Sequence, residues 1–83
     1  MKYPINIKVD GKARKRLVQE VLFSYGWEWG VSGKMIKDYH HALYFILYDP
    51  KAKKFGSATS SRMGFITSEE ILANSQEYLY DHK

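Results

Sequence analysis

The side chains with chemical capacity in this chain are few: three histidines, His40, His41 and His82, a scatter of serines, and no cysteine. Asp38 and His40 stand two residues apart, the spacing that places a carboxylate and an imidazole on one face of a strand as an acid–base pair. His40 and His41 are adjacent, so an extended backbone sends them to opposite faces, which makes a poor chelating pair. Ser57, Ser60 and Ser61 lack the glycine-framed elbow that exposes a nucleophilic serine. The run "GVSGK" at 30–34 misses the GxxxxGK[ST] spacing of a phosphate-binding loop, and Met35 follows the lysine. These groups call for no metal and no cofactor, and the chain is read as non-catalytic. The lack of cysteine excludes disulfide staples and thiolate metal sites, and makes a reducing cytoplasm the expected compartment.

Binding chemistry is better represented. Residues 1–16 carry Lys2, Lys8, Lys12, Arg14, Lys15 and Arg16 against Asp10 alone, and Lys51, Lys53 and Lys54 form a second basic cluster. Carboxylates gather at the other end, at Glu69, Glu70, Glu77 and Asp81, and the formal net charge is +4. Such polarity steers an anionic partner. Seven tyrosines and two tryptophans supply the ring types that anchor protein interfaces and stack on unpaired bases. The sheet signature of RNA-recognition modules is absent; "RMGFIT" shares only a few of its letters. Trp27 and Trp29, within "GWEWGVSGK", share a strand face. Side chains of that size most economically cover the end of a preceding helix, so both are assigned to closing the core.

The elements that must position these groups follow from periodicity. At 83 residues the chain is one domain, 1–83, with 45% hydrophobic residues and no apolar run near the ~20 needed to span a bilayer. "YPINIKV" alternates, with Tyr3, Ile5, Ile7 and Val9 on one face of a strand and Pro4 near its start. Asp10 is placed to cap a helix from Lys12 to Tyr25 whose stripe is Leu17, Val18, Val21, Leu22 and Tyr25. Lys12, Lys15, Arg16 and Gln19 collect on the opposite side, and Phe23 lands among them. Gly26 suits a left-handed helix end. "HALYFILYD" is apolar on both faces, Leu43, Phe45 and Leu47 against Tyr44, Ile46 and Tyr48, which predicts a central strand. "DPKAKK" turns the chain into "FGSATS" as a hairpin, and "SSRMGFI" holds a further short strand. Thr67 and Glu70 have the spacing of a capping box, opening a helix with Ile71, Leu72, Tyr78 and Leu79 as its stripe and "NSQ" at 74–76 as a possible early stop. The sum is α+β: a small antiparallel sheet of three to four strands with two helices packed on one face, in the order β-α-β-β-β-α.

A basic amphipathic helix ending in "SYGWEW", a strand "LYFILYD" with a lysine-rich hairpin, then "GFITSEEIL", resembles small uncharacterised proteins of tailed bacteriophages. The resemblance covers roughly residues 3–73, and the tail "NSQEYLYDHK" runs past it. It implies an accessory or host-takeover factor, of a kind that blocks host enzymes or defence systems, acting in the host cytoplasm. It carries over no functional residue. From the residues themselves, the expected activity is docking onto another protein, most simply a host protein, through Lys12, Lys15, Arg16 and Phe23 on the helix and Lys53 and Lys54 on the hairpin. The alternative is single-stranded RNA or DNA, its phosphates on the basic helix face and its bases on Phe23, Tyr44 or Tyr48. The apolar surplus also offers closure as a homodimer. No membrane partner is expected.

Overall fold

The computed structural model describes residues 4–37, 42–60 and 64–79. The first alternating run forms β1 (Ile5–Lys8), directly after Pro4, with Ile5, Ile7 and Val9 buried on one side. Next comes α1 (Lys12–Ser24), then β2 (Glu28–Trp29), β3 (Tyr44–Asp49), β4 (Lys54–Ala58), β5 (Ile66–Thr67), α2 (Ser68–Ala73) and α3 (Ser75–Leu79). The class is α+β, but the sheet is five-stranded and mixed, in the order β2-β4-β3-β1-β5. β3 runs antiparallel to β1 and β4, whereas β5 lies parallel to β1 and β2 parallel to β4. The expected antiparallel sheet is thereby corrected. Both parallel pairings join segments that no hairpin connects, so no local turn signal announces them.

One buried cluster fills the space between sheet and helices. Ile5, Ile7, Phe45, Leu47, Phe55 and Trp29 rise from the sheet to meet Val18 and Leu22 of α1, Ile71 of α2 and Leu79 of α3. Trp29 packs tilted on Phe55 at 4.3 Å between ring centroids and edge-on to Phe45 at 5.3 Å. Both tryptophans are buried, so they close the core as their size predicts.

The end of α1 leads directly into that lid. Gly26 takes φ +89, its N–H donates to the Phe23 carbonyl, and the Trp27 N–H donates to the Leu22 carbonyl. This is the Schellman pair of bonds, with Leu22 and Trp27 as its buried apolar partners. The Nζ of Lys53 donates to the Tyr25 carbonyl at 3.2 Å, a cation at the negative end of the helix. At the other end the expected cap is absent: Gly11 holds the N-cap position with no side-chain cap bond, so Asp10 does not serve there. Thr67 does cap α2, accepting from the Glu70 N–H at 3.1 Å. Asn74 then interrupts the helical path, and the stripe resumes in α3.

The rotation of α1 differs from its apolar stripe. Leu17 is 49% exposed, while Lys15 is 8% exposed and Gln19 wholly buried. Gln19 makes that phase affordable. Its Nε2 donates to the Lys37 carbonyl at 2.8 Å, and its Oε1 accepts from the Lys37 N–H at 2.6 Å and from the Trp29 indole at 3.2 Å. The amide thus pairs with the backbone after β2 as a neighbouring strand would, and satisfies polar groups beneath the lid.

Candidate binding face

Because side chains alternate along a strand, the sheet that buries Phe45 and Leu47 against the helices must turn Tyr44 and Ile46 the other way. Strand register then builds two rows across that outer face: Asn6, Ile46 and Gly56 in one, Lys8, Tyr44 and Ala58 in the other. Tyr44 and Ile46 are half-buried, and Tyr48 and Phe65 are exposed. At its β5 edge, Tyr78 of α3 lines a pocket with Asn6, Gly64 and Phe65.

Phe65, just before β5, sets its ring 5.6 Å from that of Tyr44, and Lys8 Nζ sits 5.4 Å from the centre of the Phe65 ring. This is within cation–π range. The cluster exists because β5 pairs with β1, Lys8 opposite Thr67, and because the Asn6 amide holds the Gly64 carbonyl at 3.2 Å. Tyr48 is placed by a different device. Leu47 pairs with Phe55 and Asp49 with Lys54, which leaves Tyr48 as the extra residue of a bulge. Its ring lies over Gly56, where an added methyl would stand 3.7 Å away, and its hydroxyl occupies the space a side chain at Gly30 would need. Gly56 on β4 and Gly30 just after β2 therefore form the bed for one ring. The cleft between Tyr48 and Val31 has a volume of about 150 Å³, with Trp29 and Phe55 among its lining residues.

Charge on the face is sparse and partly neutralised. Lys54 pairs with Glu28 across the parallel β2–β4 register. The hydrogen bond from Lys54, and secondarily its charge, holds the Glu28 carboxyl below its ordinary value. At the rim, the Asp49 carboxylate accepts from the Lys51 and Ala52 N–H groups and so fixes the basic turn between β3 and β4.

The residues expected to make contact do not form one surface. Lys12 and Arg16 are exposed on α1, and Arg16 lies 3.7 Å from Glu20. Lys15 is turned inward with Gln19 instead of facing solvent. Phe23 also departs from expectation: it is half-buried, packs against the core and sets its ring 6.1 Å from Phe55. It closes the core margin beside the lid and does not stand as a free aromatic on a basic face. Lys53 and Lys54 lie near the far end of α1 from Lys12, about 20 Å along a thirteen-residue helix. Sequence reasoning did name Tyr44 and Tyr48, as rings on which bases could stack. It missed Lys8 and Phe65, which only the long-range β1–β5 pairing brings together.

For catalysis, Asp38, His40, His41, Ser61 and His82 lie outside the described residues, and Ser57 and Ser60 are exposed. Among the described residues no group of three or more potential ligands is placed to hold a metal ion, and no helix is long and apolar enough to cross a membrane. No protein-family model, curated protein or solved structure matches this chain.

Proposed function

We propose that this chain is a non-catalytic binding module that docks the outer face of its sheet onto another protein, in the manner of a phage-type accessory factor acting on a host protein. The observation that carries this reading is the outward row of the central strand: Tyr44, Ile46 and Tyr48, with Phe65 beside them, turned away from the helices. An aromatic and aliphatic centre poor in charge is what the core of a protein interface presents. Lys8 is laid over an aromatic ring, Lys54 is matched by Glu28, and Lys51 stands exposed in the turn between β3 and β4. A complementary partner has an apolar centre edged with carboxylates.

A photo-crosslinking amino acid at Tyr44, compared with one at Leu17 on the exposed side of α1, tests this in bacterial cells. The proposal expects one nuclease-resistant protein adduct at position 44 that is missing at position 17. Equal adducts at both positions, or none at 44, would overturn it. A crosslink to the chain itself, with a dimer mass by light scattering, would assign the face to a second copy. A second reading, single-stranded RNA or DNA, is favoured by the Tyr44–Phe65 pair with Lys8 alongside, since rings and a cation are what a base and its phosphate require. That reading requires a nuclease-sensitive adduct and affinity falling with salt at a log–log slope of about −0.7 per phosphate contact.

A further inference from the structure

A second surface adjoins the sheet face at the cleft between Tyr48 and Val31. The turn after β2 closes through a bridge between Trp29 and Gly33, and Val31 at its tip is 100% exposed. Met35 and Ile36, farther along the same segment, are also exposed, and Lys34 stands between them and the tip. Such a group of apolar side chains in water is costly, and the backbone does not leave it loose. The Gly30 N–H donates to the Phe55 carbonyl at 3.1 Å, and Gln19 holds Lys37 by both its N–H and its carbonyl. The flank of α1 to which Gln19 ties this segment carries Lys12 and Arg16, seven and three residues before it and therefore on neighbouring turns. Among the described residues, the Glu20 carboxylate lies beside Arg16 and that of Glu28 pairs with Lys54.

We propose that the Gly30–Lys37 segment, with the Lys12 and Arg16 flank of α1, is a peripheral contact for an anionic membrane surface. Shape and charge together select this occupant. Val31 stands fully exposed at the tip, with Met35 and Ile36 exposed behind it, and the headgroup boundary of a bilayer accepts such a protruding Val, Met or Ile. The surrounding cations match the negative potential of an anionic leaflet. No spanning segment is needed for such contact, so the expectation of no membrane partner, which rests on the lack of an apolar run, does not bear on it.

The test is co-sedimentation of the full chain with vesicles of phosphatidylcholine alone or with about one third phosphatidylserine, at low salt and at ~0.5 M NaCl. The expected result is binding to the anionic vesicles only, lost in high salt. Lys34→Gln should weaken it about fivefold. Val31→Asp should weaken it about tenfold or more while leaving the melting temperature unchanged, because Val31 is fully exposed. Tyr44→Ala should bind vesicles as the parent does, which separates this contact from the sheet face. Failure to bind anionic vesicles at low salt, equal binding to both lipids, or full binding by Val31→Asp would each overturn the proposal. The first of these results would leave an acidic protein as the surface's ligand.

Discussion

Replacing Gln19 with leucine should destabilise this protein far more than a helix-surface substitution does. The change keeps the approximate volume and helix propensity of the side chain and removes its amide. Four groups then lose a partner: the Lys37 N–H, the Lys37 carbonyl, the Lys15 carbonyl and the Trp29 indole N–H. A buried polar group stripped of its bond costs roughly 1–3 kcal/mol, and that applies to the indole, on a residue 3% exposed. The two Lys37 groups are only partly buried and regain water, at about 0.5 kcal/mol each. Added apolar contact from leucine offsets about 1 kcal/mol. The net loss is about 1–3 kcal/mol, or a fall in melting temperature of between about 5 and 20 °C for a domain of this size. Urea denaturation followed by tryptophan fluorescence measures it, with Arg16→Leu, on the exposed flank, as a control expected within about 0.5 kcal/mol. A loss for Gln19→Leu no larger than the control's would show that Gln19 faces water and that the rotation assigned to α1 is wrong.

Trp27→Ala should cost about 3–5 kcal/mol by the same assay, near the whole stability expected of a small domain, and leave the chain largely unfolded at 37 °C. Gly30→Ala should leave the fold intact, because only the mobile hydroxyl end of Tyr48 stands in the way, yet shift the Tyr48 ring resonances in NMR spectra; unchanged resonances would contradict the bed described for that ring. Glu28 has its carboxyl held below 4.5 by Lys54, so the pair contributes stability above about pH 4.5 that is lost as pH falls through the lowered value. Glu28→Gln should therefore flatten the loss of stability below that pH, and an acid limb identical to the parent's would count against the pairing.

Much of this fold is legible one element at a time. The alternation of "YFILYD" identifies a strand with two apolar faces, Gly26 marks the helix end it forms, and Thr67 caps the helix it precedes. The two tryptophans belong to the core because nothing smaller would cover the end of α1. What sequence does not reveal depends on partners distant along the chain. An apolar stripe places Gln19 and Lys15 outside, since a hydrophobicity pattern cannot register a polar side chain whose amide is met by the Lys37 backbone eighteen residues on and by the Trp29 indole. Phe23 is misassigned for the same reason: a helix turned by that amide carries its neighbour toward Phe55. Parallel pairing of β1 with β5 gathers Lys8, Tyr44 and Phe65 without any local signal, and the bulge at Tyr48 shows itself only when the hairpin register is known.

Titration of the isotopically labelled chain with the protein recovered by crosslinking at Tyr44 tests the proposed docking face most directly, by locating the amide resonances that change. The account predicts changes along Asn6, Lys8, Tyr44, Ile46, Gly56 and Phe65, with Ala13, Leu17 and Ser24 on the outer side of α1 unmoved. Changes concentrated on α1, with the sheet rows silent, would contradict it.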